Sequence, residues 1–71
     1  MKIKVVYGYE SKIKIFEVDS KFKAILTAWD EGDASLWQEL VNELRQIINS
    51  EVENNRHAVY EMDSKKLMYV W

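Results

Sequence analysis

An α+β fold of order ββααββ, with a four-stranded antiparallel sheet carrying two helices on one face, is predicted by three features of the sequence. The first is a long helical stretch, SLWQELVNELRQIINSEVE, from Ser35 to Glu53. Its apolar residues Leu36, Trp37, Leu40, Val41, Leu44, Ile47, Ile48 and Val52 recur at spacings of three and four, which places one stripe on one side of the spiral. The second is period-two alternation near both ends of the chain, the mark of strands with one apolar face. The third is a shorter helical pattern just before the long one. A two-layer sandwich is the simplest way for such elements to cover their apolar faces.

Taken in order, Met1 to Tyr9 alternates Ile3, Val5, Tyr7 and Tyr9 against Lys2, Lys4, Val6 and Gly8, and reads as a first strand. Glu10-Ser11 is a turn. Lys12 to Val18 forms a second strand, with Ile13 and Ile15 on one side and Lys14, Phe16 and Val18 on the other. Its apolar side switches near Ile15-Phe16, so a bulge, or a strand covered on both faces, is expected there. Phe22, Ile25, Leu26 and Trp29 then follow a helical period, with Ser20 as the expected N-cap and Gly32 as the stop.

The long helix follows, opened by a capping box of Ser35 and Gln38. Asn54-Asn55 is expected to end it. Arg56 to Met62 returns to a strand with Ala58, Tyr60 and Met62 on one face, Asp63 to Lys66 is a turn, and Leu67 to Trp71 is the last strand. The two hairpins share a Tyr, an acid before a Ser, and a Lys in register; common descent is one reading, and two similar solutions to one turn problem is the favoured one. The predicted core is Ile3, Val5, Tyr7, Ile13, Ile15, Phe22, Ile25, Leu26, Trp29, Trp37, Leu40, Val41, Leu44, Ile47, Ile48, Tyr60, Leu67 and Tyr69. The uncovered sheet face is expected to show Lys2, Lys4, Val6, Lys14, Val59, Glu61, Met68 and Val70.

With 71 residues, the chain 1–71 is expected to be a single domain with a narrow stability margin. It has no cysteine, so neither a disulfide nor a thiolate metal site supplements the core. Hydrophobic residues at 48% rule out a disordered tail. No apolar run approaches the roughly 20 residues that span a bilayer, and Lys2 and Lys4 are not followed by a leader pattern. No membrane association and a cytoplasmic location are therefore expected.

Motifs of catalysis are missing. The single histidine, His57, has no thiol and no nucleophile-elbow glycines to work with, and reads as a surface residue at the start of the third strand. Asp30, Glu31, Asp33 and Glu39 form an acidic cluster, but Gly32 lacks the acids a calcium loop places around it, so capping and solvation account for them. With two glycines and no Walker pattern, the sequence argues against a phosphate cradle. The expectation is a chain that is not an enzyme and that uses no cofactor and no metal.

Charge offers more. The net charge of −2 hides a segregation: residues 1–23 carry +3, residues 24–55 carry −6 and residues 56–71 carry +1. An acidic, amide-rich helix face is thereby opposed to a lysine-rich hairpin, a polarity that steers association. The expected function is a small protein-interaction domain, an inhibitor or adaptor presenting an acidic face to a basic site on a protein partner. Its contact residues would be Asp30, Glu31, Asp33, Glu39, Asn42, Glu43 and Gln46. The alternative is a nucleic-acid-binding module that uses Lys2, Lys4, Lys12 and Lys14 with Tyr9 and Phe16 as stacking platforms. A pI near 5.3 argues against that alternative. Homodimerisation through the last strand's edge or the open sheet face is a further route to a partner. Small proteins with so few motifs are frequent in phages and mobile elements, an association only.

Overall fold

The computed structural model describes residues 1–52 and 56–71. The element order is ββααββ. β1 (Lys2–Tyr7) and β2 (Lys12–Glu17) form the first hairpin. Its turn is closed by the Ser11 N–H donating to the Gly8 carbonyl at 3.2 Å, with Gly8 at φ +76° and Ser11 at φ +51°. Only Gly8 takes up that left-handed conformation without a steric cost.

A 3-10 turn (Ser20–Ala24) then runs directly into α1 (Ile25–Ala28). Asp19, rather than the expected Ser20, caps this segment, its carboxylate accepting from the Lys21 N–H at 2.8 Å. Gly32, at φ +80°, turns the corner as predicted. α2 (Ala34–Asn49) begins one residue before the predicted Ser35. Its cap is Asp33, whose Oδ1 accepts from the Leu36 N–H at 3.0 Å, and not a Ser35–Gln38 box. The Gln38 amide instead donates to Asn42 Oδ1 at 2.9 Å. The helix stops at Asn49, short of the predicted Glu53, which with Asn54 and Asn55 lies outside the described residues.

β3 (His57–Glu61) and β4 (Leu67–Val70) complete one antiparallel sheet of order β2-β1-β3-β4. β1 therefore sits between β2 and β3, and its alternation sets theirs. Ile3 faces Phe16 and Glu61, Val5 faces Lys14 and Val59, and Tyr7 faces Lys12 and His57. Residues paired across a ladder share a face. Because Ile3 and Val5 are fully buried under the helices, Phe16, Val59, His57 and Glu61 turn inward with them.

Two predicted strand phases are thereby inverted. Ile13 and Ile15 were expected in the core, yet they pair with Val6 and Lys4 on the outer face, and Ile13 is 60% exposed. Ala58, Tyr60 and Met62 likewise face outward, while Val59 and Glu61, expected outside, are buried. β2 keeps a regular register along all six residues, so the expected irregularity is absent there. It occurs instead between β3 and β4 at Val59/Tyr60, where an extra residue lets neighbouring Met68 and Tyr69 both be buried.

The core comprises Ile3, Val5, Phe16, Phe22, Ile25, Val41, Leu44, Ile48, Val52, Val59, Met68 and Tyr69, with Leu26, Trp37 and Leu40 half-buried against it. Trp29, Ile47 and Leu67, predicted inside, are exposed. Truncating Leu44 to Ala is expected to cost about 2–5 kcal/mol, whereas Ile13→Thr, on the outer face of an edge strand, should cost less than about 0.5 kcal/mol. Asp33→Ala should cost about 1 kcal/mol through the lost cap, and Ser35→Ala almost nothing. Urea unfolding of the four variants checks this order.

Candidate interaction surfaces

The acidic residues predicted as a binding face do lie exposed at the α1–α2 corner and along α2, but several have local work. Asp33 caps α2, Asn42 accepts from Gln38, and Glu43 Oε1 pairs with Lys21 Nζ at 2.6 Å. The Glu43 hydrogen bond raises the Lys21 ammonium above its ordinary range, against an opposing effect of desolvation. Asp30, Glu31, Glu39 and Gln46 are exposed without such roles among the contacts described. The face is acidic, yet part of its charge is neutralised by the lysine-rich segment packed against it.

The lysines and rings of the nucleic-acid alternative do not converge. Lys2 and Lys4 project from the outer sheet face, whereas Lys12 and Lys14 pair with the inward positions Tyr7 and Val5. Lys14 is held by Glu51 at 3.1 Å and lies over the Phe16 ring at 5.5 Å. Phe16 is a core residue and offers no free face to a base. Tyr9 is 99% exposed in the turn, but the other predicted platform is gone.

The outer sheet face is the feature that the expected strand phases concealed. The registers set Ile13, Val6, Ala58 and Val70 in one row across all four strands, uninterrupted by charge. A second row runs Ile15, Lys4, Tyr60 and Leu67, and the Lys4 ammonium lies 5.1 Å above the Tyr60 ring. Both helices pack on the opposite face, so nothing in the chain's described residues covers these rows. The outward positions of Ile13 and Ile15 were legible only through a register argument that begins from β1.

The inner face at the end of the sheet carries a polar pair. His57, expected at the surface, is buried because it faces Tyr7 across the ladder, and its Nε2 shares a 2.8 Å hydrogen bond with the Tyr69 hydroxyl. Arg45 of α2 stacks 3.5 Å above the Trp71 ring, which meets Tyr69 edge-on. This chain of rings ties the long helix to the last strand. Among the described residues, no three of His, Cys, Asp and Glu come together as metal ligands, and no helix is long and apolar enough to cross a membrane. Comparison with protein-family models, curated proteins and solved structures gives no match for this chain.

Burial pushes the Tyr69 phenol well above the ordinary tyrosine range, with the Arg45 guanidinium opposing that shift. The folded state thus holds this proton more tightly than the unfolded chain, whose tyrosines titrate near ~10. Stability from this group is complete below that pH and is lost as pH rises above it. Tyr69→Phe should therefore cost about 1 kcal/mol at neutral pH through the lost His57 bond. The deficit relative to wild type should shrink above pH ~10. Urea midpoints for both proteins across that range test it.

Proposed function

We propose that the chain is a small non-enzymatic protein-interaction domain, of the inhibitor or adaptor kind, that meets its partner through the outer sheet face. The observation that supports this most is the uncharged row Ile13–Val6–Ala58–Val70, with Ile13 60% and Val70 64% exposed and no second layer over them among the described residues. Together with Ile15, Leu67 and Met62 this leaves apolar surface on the order of 400 Å², at the scale of the largest patches on ordinary monomers.

Covering that area would contribute about 10 kcal/mol at 25 cal/mol/Å². The loss of translational and rotational freedom on association is of similar size, about 4–15 kcal/mol. The apolar rows alone thus support a weak complex, and the charges around them decide which partner is retained. Lys2 and Lys4 stand among the rows, and Glu17 pairs across the ladder with Lys2. The acidic residues Asp30, Glu31 and Glu39 on the helical side then act at longer range, speeding the approach of a basic partner rather than holding it.

Immobilised wild-type chain and an Ile13→Asp/Val70→Asp double variant, both checked for native circular dichroism, are compared in a native pull-down from the cells that make the protein. Wild type should retain a stoichiometric protein partner and the double variant should lose it. Equal recovery by the folded double variant, or loss with Glu39→Lys/Glu43→Lys instead, would overturn the sheet-face reading.

A further inference from the structure

A second surface lies on the helical side of the sheet edge. A groove of about 510 Å³ runs between α1, the start of α2 and β4, lined by Ile25, Leu26, Trp29, Trp37, Leu67 and Met68, with Asp30 and Gln38 at its rim. Trp29 and Trp37 meet edge to face with centroids 5.3 Å apart, and Trp29 is 61% exposed. Two indoles set edge to face at an open groove leave a large apolar wall in water.

β4 is an edge strand of the sheet. His57 and Trp71 exchange both backbone hydrogen bonds, at 2.8 and 3.2 Å, and so form a hydrogen-bonded pair. Antiparallel ladders alternate such pairs with non-bonded ones. The next pair, Ala58–Val70, is therefore of the second kind, and the Val70 N–H and carbonyl point away from β3 toward the open edge. The opposite edge of the sheet is blunted by Lys12 and Lys14 on β2, whereas Leu67–Val70 carries no charge and no proline.

Charge selects the occupant. Between Lys23 and Arg45 the chain has five acids and no base, and three of these, Asp30, Glu31 and Asp33, lie in the corner between α1 and α2, with Asp30 at the groove's rim. Lys65 and Lys66, in the turn before β4, stand at the sheet side. The complementary segment thus turns its basic side chains toward the helix corner and its apolar ones onto the indoles.

We propose that this groove binds an extended, basic and apolar peptide segment of a partner protein, which pairs with the free edge of β4 as a fifth strand and inserts alternate side chains between Trp29, Trp37 and Leu67. Backbone pairing supplies affinity and the pocket supplies selectivity, the mode used wherever a peptide augments a sheet beside a helix. Leu67 borders both this groove and the outer face, but the Trp29–Trp37 wall lies on the helical side, so the proposal stands without the outer-face contact.

The test titrates isotope-labelled chain with a pool of octapeptides in which Lys or Arg alternates with Val, Leu or Phe, and follows amide and indole resonances. The Val70 amide and the Trp29 and Trp37 indoles should shift, and the affinity should fall as salt is raised. Trp29→Ala, at an exposed position, should weaken binding at least about tenfold. Val70→Pro removes an N–H that the ladder to β3 does not use, so the fold should persist and the binding should be lost. Ile13→Asp/Val6→Asp should leave the titration unchanged. The proposal is overturned if no resonance shifts, if a pool with Glu in place of Lys and Arg binds equally, if the shifts map to Val6 and Ile13, or if folded Val70→Pro binds like wild type.

Discussion

The burial of Ile3 and Val5 on the inner face of β1 is the constraint on which the rest of the sheet depends. β1 is hydrogen-bonded on both sides, so its alternation is transmitted residue by residue to β2 and β3, and through β3 to β4. A slip of one position would exchange the two faces of the sheet. Fixing Ile3 against Phe16 and Glu61 commits Ile13, Ile15, Ala58 and Tyr60 to the outside. The apolar outer face is thus a consequence of the core rather than an independent feature.

This explains which parts of the fold were legible in the sequence. α2 and β1 carry strong, unbroken periods, and their inward residues Val41, Leu44, Ile48, Ile3 and Val5 are those the pattern indicates. β2 and β3 carry apolar residues on both sides, and counting them favours the wrong side. Two isoleucines outweigh Phe16 in β2, and Ala58, Tyr60 and Met62 outweigh Val59 flanked by His57 and Glu61. Only the pairing with β1 decides, and pairing is a property of the sheet and not of the strand. The acidic corner was legible as charge, but its division of labour was not, since Asp33 as a cap and Glu43 as the partner of Lys21 depend on neighbours remote in sequence or on a boundary shifted by one residue.

Placing polar residues on the inner face has a cost that the chain meets unevenly. His57 shares its hydrogen bond with Tyr69, whereas Glu61 Oε2 and Arg45 Nε are buried with no hydrogen-bond partner among the described residues. Such groups typically cost about 1–3 kcal/mol each, a substantial fraction of the stability of so short a chain. The Arg45–Trp71 stack returns part of this by fastening α2 to the end of the sheet. The fold keeps buried polar groups on one face of the sheet while leaving isoleucines and valine in water on the other, and both proposed surfaces use the sheet, one its outer face and the other its β4 edge.

The most direct measurement is solvent paramagnetic relaxation of the isoleucine δ-methyl groups, using a neutral gadolinium chelate in the wild-type chain. The six isoleucines divide cleanly: Ile3, Ile25 and Ile48 are buried, whereas Ile13, Ile15 and Ile47 are exposed. Strong broadening of Ile13 and Ile15 with protection of Ile3, Ile25 and Ile48 is the expected result. Protection of Ile13 and Ile15 in the dilute monomer, with relaxation shifted to the Phe16 ring and the Val59 methyls, would contradict the strand phase on which the outer-face proposal rests.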